Sequence, residues 1–406
     1  MSTSPSEAAR ITYRYDLLRS PFYGILEAGW TTLSLVIAIR AFAAPETVKA
    51  FIVGAGPIGF LCAPLLLFAA SHLRLTASRT GMLLFAAAAV FMAGAALATN
   101  LVLFASLLVL GQLLASQQNA VMVHIYDANY PASERGKRLG TPFVLVAVSA
   151  IFFSVFGGYL LDVRIDNYVV IFLIMAASAG ACAWFLSRIP SEPLSPEDIG
   201  NPWQNFSLAW TDKLFGTLLF AWMILGVGNL LTLPIRVEYL ADPTYGINAD
   251  NTTIAFILLV IPAICRILST KLWGHLFDRF HLITTRILLN LCFLLGIFLF
   301  FFTDNLIVMG IAMAFFGTAI GGGKIMWTLW VTKIAPKVKA ASYMSVHMAL
   351  TGLRGTLAPF LGYWVLSRTD PQTVGLFGST LIVLASLVFA RLKRHPGFSA
   401  AAENAS

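Results

Sequence analysis

Hydrophobic and polar residues alternate along this chain in long blocks rather than in the short periods of a soluble fold. A helix that crosses a lipid bilayer needs about 20 mostly apolar residues. The sequence offers twelve such stretches, at approximately 21–39, 50–70, 80–98, 101–125, 140–161, 167–187, 214–234, 252–270, 287–303, 305–332, 341–367 and 373–390. The connections between them are short and carry Pro, Gly, Asn or Asp, as in Thr99-Asn100, Thr303-Asp304-Asn305 and Asp370-Pro371, residue types that start and stop helices. One connection differs: residues 188–213 are polar and hold Pro190, Pro193, Pro196 and Pro202, so they read as a linker. The pattern predicts an all-α membrane protein of twelve transmembrane helices, with one six-helix half at 1–187, a linker at 188–213 and a second half at 214–406.

Composition strengthens this picture. Of 406 residues, 58% are hydrophobic and 11% charged, and the mean hydropathy is +0.80. A soluble domain runs at about 45–50% apolar and about 25% charged, and a soluble fold could not hide the excess. A cytosolic enzyme, a nucleic-acid binder and a disordered chain are all excluded. The net charge of +8 resolves by position. With the N-terminus inside, 19 of the 27 Lys and Arg residues fall on cytoplasmic segments, 5 on outer segments and 3 within spans. By the positive-inside rule both termini are cytoplasmic. The first twenty residues lack an apolar signal-peptide core, and Glu7 and Asp16 argue against a mitochondrial presequence. The expected location is therefore a plasma membrane, of the bacterial inner-membrane kind. Cys62, Cys182, Cys265 and Cys292 all lie in apolar stretches without disulfide or zinc spacing, and read as small packing residues.

The loop between the eighth and ninth stretches runs Gly274-His275-Leu276-Phe277-Asp278-Arg279-Phe280-His281. It resembles the GxxxDRxG signature of the major facilitator superfamily, with His281 in place of the second Gly. The matching place in the first half, Ser71 to Arg79, is degenerate and lacks the Asp. After the fourth stretch, Pro131-Ala132-Ser133-Glu134-Arg135-Gly136 is similar to the family's P-x-x-x-R-G loop, and Asp127 precedes it. The fifth stretch ends in Gly157-Gly158-Tyr159-Leu160-Leu161-Asp162, and the eleventh carries Gly355 to Gly362 as a weaker echo. The resemblance covers the whole chain. It implies two pseudo-symmetric six-helix bundles, a substrate held near the midplane by helices 1, 4, 7 and 10, and a cytoplasmic latch formed by Gly274, Asp278 and Arg279, with Arg135 at the matching loop of the first half. Two departures stand out. Leu107 occupies the place of an arginine found in many proton-coupled members, and Phe153-Ser154 replaces the Gly-Pro of drug/proton antiporters. Both count against a drug/proton antiporter.

Charges inside a span cost about 2.5–3.5 kcal/mol on insertion scales and should face a cavity or a partner. Four fall within the predicted spans: Glu27, Arg266, Lys324 and Arg354. Arg354 shares a helical face with His347 and Thr351, and sits about 20 Å from the cytoplasmic start of its stretch. Glu27 shares a face with Tyr23, Trp30, Thr31 and Ser34. The run Gly321-Gly322-Gly323 predicts a loosened turn just before Lys324. The fourth stretch adds Gln117 and His124, and the seventh Trp222 and Asn229. The candidate substrate-binding residues are thus Glu27, Trp30, Gln117, Asn229, Lys324 and Arg354. The candidate coupling or gating residues are His124, His347, Gly274, Asp278, Arg279 and Arg135. Plainer roles stand beside these: Arg266 as part of the latch, Glu27 as an ion-pair partner of Lys324, the two histidines as packing residues, and the glycines as close-packing positions.

Three buried cations against one carboxylate favour a secondary active transporter for a small organic anion, since Arg suits bidentate carboxylate or phosphate contacts. The alternatives are a carrier of amphipathic or cationic compounds, with Trp30, Trp222, Trp327 and Trp330 as an aromatic cavity, or a non-transporting receptor of the same fold. A membrane enzyme is disfavoured, because paired carboxylates, HExxH, a Ser/His/Asp grouping and a P-loop are all missing. No metal or cofactor is expected. The expected partners are the lipid bilayer and a small-molecule substrate, with a coupling proton as a further candidate, and the expected state is a monomer.

Overall fold

A computed structural model describes residues 5–131, 134–194, 206–335 and 340–393. Long helices follow one another in the predicted order: α1 Ser6–Arg40, α2 Glu46–His72, α3 Ala77–Ala96, α4 Leu101–Asn129, α5 Arg138–Val163, α6 Ile165–Ser187, α7 Lys213–Ala241, α8 Asn251–Phe277, α9 Leu282–Phe301, α10 Leu306–Trp327, α11 Ala340–Leu366 and α12 Pro371–Leu392. All except α11 meet a length and hydropathy test for crossing a membrane, and α11 carries Arg354 and His347 along its 27 residues. Large apolar side chains face outward along these helices, Phe152 at 73% and Leu268 at 75% exposure among them. Such surfaces are at home only in lipid.

The polar residues of the short connections act as helix caps. Asn100, Asp212, Asp250, Asn305 and Asp370 each accept a hydrogen bond from the main-chain N–H two or three residues on, at the starts of α4, α7, α8, α10 and α12. Each cap satisfies a donor that the helix itself leaves open. At the start of the linker, Leu194 N–H donates to the Leu75 carbonyl at 3.0 Å, and Ser191 Oγ accepts from Ser78 N–H at 2.9 Å. Residues 195–205 of the linker lie outside the described residues.

Two compact units result. One contains α1–α6 together with residues 248–256; the other contains α7, the rest of α8 and α9–α12. The same pairing scheme recurs in both. In the first unit α1 packs on α5 and α6, α3 on α4 and α6, and α2 on α4; in the second α7 packs on α11 and α12, α9 on α10 and α12, and α8 on α10. Small residues make these seams close. Gly24 faces the Val146 carbonyl across α1–α5, and Gly228 lies against Gly378 across α7–α12.

Three details depart from the sequence expectations. First, α1 begins well before residue 21 and α7 continues beyond 234, so Asp16, Arg19, Arg236 and Glu238 lie within helices and are buried. Glu27 is therefore not the sole acid of a membrane-length helix. Second, the glycine run before Lys324 does not unwind: α10 is helical throughout, with Gly321 against Ser269 and Gly322 against Trp273 of α8. Close packing holds the turn that propensity alone would loosen. Third, the irregular turns occur elsewhere, as π-turns at Gly29–Leu33 in α1 and Phe256–Val260 in α8, and as a break at Gln117 in α4. Such irregularities often mark working positions in helices.

Candidate functional site

The second unit buries a cluster of donors around Trp222 of α7. Arg354 on α11 is 7% exposed. Its Nη1 donates to the main-chain carbonyl of Trp222. Gly226, one turn along α7, makes room for this side chain, since a Cβ there would collide with the guanidinium. The Nε of Arg354 is buried without an acceptor among the described residues. Arg286 on α9 lies against the same tryptophan, its guanidinium carbon 4.4 Å from the ring centre. Its Nε donates to Asn290 Oδ1 at 2.8 Å, and Asn290 Nδ2 donates to Ser386 Oγ of α12 at 2.9 Å.

His347 completes the cluster. Its ring centre lies 5.4 Å from that of Trp222, 5.3 Å from Trp327 and 5.2 Å from Trp330. Trp327 Nε1 donates to the Thr351 hydroxyl at 3.3 Å, which donates in turn to the His347 carbonyl at 2.8 Å. His347 Nε2 and Trp330 Nε1 are buried and have no partner among the described residues. Among the described residues no carboxylate comes within ion-pair distance of Arg286 or Arg354. A buried donor left open costs about 1–3 kcal/mol, more when charged. This cluster holds several such donors and two unneutralised positive charges. Its chemistry calls for an acceptor-rich, negative group.

The first unit answers with a different network. Arg19 pairs with Asp16 at 2.8 Å, Tyr126 OH donates to Asp16 Oδ2 at 2.7 Å, and Arg19 Nη1 donates to Gln118 Oε1 at 3.1 Å. Here every charge is matched, so the network ties α1 to α4 and leaves nothing open for a ligand. Glu27 is half-buried further along α1. Gln117 sits at the break in α4 and donates to the Leu113 carbonyl at 3.3 Å. Trp30 lies in the π-turn of α1, buried, with its Nε1 unpartnered.

A third constellation holds residues 248–252 inside the first unit. The Asp162 carboxylate at the end of α5 accepts from the Asn251 and Thr252 main-chain N–H groups at 2.6 and 2.9 Å, and also from both their side chains. Arg40, at the end of α1, donates to Asn251 Oδ1 at 2.6 Å and to the Ala249 carbonyl at 2.5 Å. A carboxylate at the N-terminus of α8 also opposes the positive end of the helix dipole. The π-turn at Phe256–Val260 follows at once, where α8 passes from one unit into the other.

A family model described as the Major Facilitator Superfamily matches residues 21–359. The chain belongs to this superfamily. Solved structures of similar fold include the nucleoside transporter NupG, at 15% identity and a TM-score of 0.73, covering 96% of this chain and 99% of that one. A D-xylose-proton symporter is similar at 14% identity and a TM-score of 0.71, over 94% and 97% of the two chains. A POT family transporter in complex with a thioalcohol-conjugated peptide gives 12% identity and a TM-score of 0.69, over 94% and 96%. At these identities the likeness concerns the fold. No curated protein sequence matches. The protein is thus a multi-pass membrane transport protein of the facilitator fold.

Within this facilitator, Arg354, His347 and Thr351 share one face of α11 as their spacing predicts, and Trp222 of α7 and Arg286 of α9 lie against it, neither of them placed there by the sequence. Lys324 lies on α10 and is exposed. Asn229 is half-buried with its Oδ1 unpartnered. His124 and Gly274 are half-buried, and Arg279 is exposed two residues past the stated end of α8, where helical backbone continues and its charge complements the helix dipole. The side chains of Asp278 and Arg135 lie outside the described residues. Asp16 and Arg19 were missed because a hydropathy reading starts the first span after them. Their i, i+3 spacing was the signal available.

Proposed function

We propose that this facilitator carries a small organic anion across a bacterial inner membrane by alternating access, with both termini in the cytoplasm. The observation that carries the reading is Arg354: a buried guanidinium whose one hydrogen bond goes to a main-chain carbonyl, with no carboxylate to neutralise it among the described residues. An arginine so placed is costly in an empty protein and repaid when an anion supplies the missing charge. Arg is also the side chain best shaped for a carboxylate or phosphate. Asn229, Glu27, Trp30 and Gln117 remain the proposed polar and aromatic contacts, each in its own unit. Lys324, exposed on α10, remains a proposed contact beside them. Glu27, half-buried in α1, is where a coupling proton would be held, and Gly274, Asp278, Arg279 and Arg135 would serve the conformational change, with His124 and His347 beside them.

Proteoliposome flux tests this reading. Uptake of a labelled small carboxylate should be inhibited by other small carboxylates and phosphates, and left unchanged by hydrophobic cations. Inhibition by hydrophobic cations alone would replace the anion by an amphipathic cation. Saturable binding without flux would make the protein a receptor of the same fold.

A further inference from the structure

The anion reading concerns charge at one arginine, yet the cluster contains two. We propose that Arg286 and Arg354 form a single site for a small dianion, a dicarboxylate or a phosphate. This rests on the anion reading and goes one step further, to the charge of the substrate.

Both guanidiniums are anchored on one residue. Arg286 stacks on the Trp222 ring, and Arg354 donates to the Trp222 carbonyl. Each anchor uses only part of the fork. Arg286 gives its Nε to Asn290, so neither of its Nη atoms donates to a described residue. Arg354 gives its Nη1 to Trp222 and leaves Nε buried and open. Arg286 is 2% exposed and Arg354 7%, so bulk water does not screen them. His347, its ring 5.4 Å from that of the same Trp222, adds a further buried nitrogen without a partner among the described residues.

Two like charges at one buried place hold a dianion and a monoanion very differently. A monoanion leaves one guanidinium uncompensated in a medium of low dielectric, whereas a dianion neutralises both and accepts from two forks. Asn290 is what makes Arg286 available. An aspartate at that position would have closed the pair internally; the amide orients Nε and withholds the charge. Ser386 fixes the amide so that its oxygen faces the arginine.

The test measures binding to the purified full-length protein at pH 8, where inorganic phosphate is a dianion, using phosphate, succinate and acetate. Tryptophan fluorescence from Trp222, Trp327 and Trp330 gives the signal, with calorimetry as a check. At least one dianion should bind tenfold or more tightly than acetate, and comparison of succinate with phosphate identifies which. Arg286→Gln should bring that ratio to about one while acetate binding persists through Arg354. Asn290→Asp is nearly isosteric and supplies an internal counter-charge, so it too should abolish the preference and should raise the melting temperature of the empty protein. Acetate binding as tightly as either dianion in the unchanged protein overturns the inference and leaves the anion reading intact. So does a dianion preference that survives both substitutions. If none of the three anions binds, the anion reading itself fails.

Discussion

Replacing Arg354 by leucine removes the charge and the hydrogen bond to the Trp222 carbonyl while keeping an apolar stem against Gly226. In the empty protein the loss is one charge-assisted bond of about 1.5–3 kcal/mol. Against it stands relief from a buried guanidinium that has no carboxylate and an open Nε, a desolvation penalty of several kcal/mol per ion. The Trp222 carbonyl lies within the regular part of α7 and keeps its helical partner, so no new buried acceptor is orphaned. The empty variant should melt within a few degrees of the parent, or higher. Binding changes in the opposite sense. An anion held by a buried charged pair loses about 3–5 kcal/mol when its partner is truncated, which is roughly a 10²–10³-fold rise in Kd. Arg354→Lys keeps the charge but not the fork, and should fall between the two. Thermal unfolding in detergent reads the first quantity, and fluorescence titration of the site tryptophans reads the second. A stable Arg354→Leu protein with unchanged anion affinity refutes the assignment. A strongly destabilised one shows instead that Arg354 is structural.

Other consequences concern the frame around the site. Asp162→Ala removes an acceptor that holds four donors at the start of α8; because Asp162 is exposed, the loss should be only about 1–3 kcal/mol, seen as a lower melting temperature and faster amide exchange at 251–256. At the start of α9, His281 Nδ1 accepts from the Ile283 N–H at 3.2 Å, and partial burial, with Lys393 adding repulsion, holds the imidazole pKa below its usual value. A depressed histidine pKa means the unfolded chain binds the proton first, so this contribution to stability is complete above about 6.5 and fades as pH falls through the lower folded value. The melting-temperature difference between the parent and His281→Ala should accordingly shrink between pH 8 and pH 5; a difference that grows on acidification contradicts the cap. A reporter fused after residue 394 should behave as cytoplasmic and one placed within 242–250 as external, and an externally accessible C-terminus would overturn the twelve-helix topology.

Lipid as solvent makes much of this protein local information. Each span must satisfy its own backbone, so twelve apolar stretches were enough to place twelve helices, and Asn100, Asn305 and Asp370 could be read as boundaries because a cap acts on the next three residues. Arg354 was legible for the same reason, as a charge too deep in one helix to reach water. What the side chains do across helices was not legible. Arg286 looks like an ordinary cytoplasmic charge until α9 is seen to lay it on Trp222. The triple glycine in α10 looked like a weak turn, yet Ser269 and Trp273 hold it helical. Asp16 and Arg19 were invisible to hydropathy because their mutual pairing, not their polarity, sets their cost. The docking of residues 248–252 on Asp162 and Arg40 likewise joins positions about ninety and two hundred residues apart, a distance across which no periodicity carries information. Solvent dictates where the helices are, residue by residue along the chain. Which buried charges are neutralised depends on neighbours that only the folded bundle brings together.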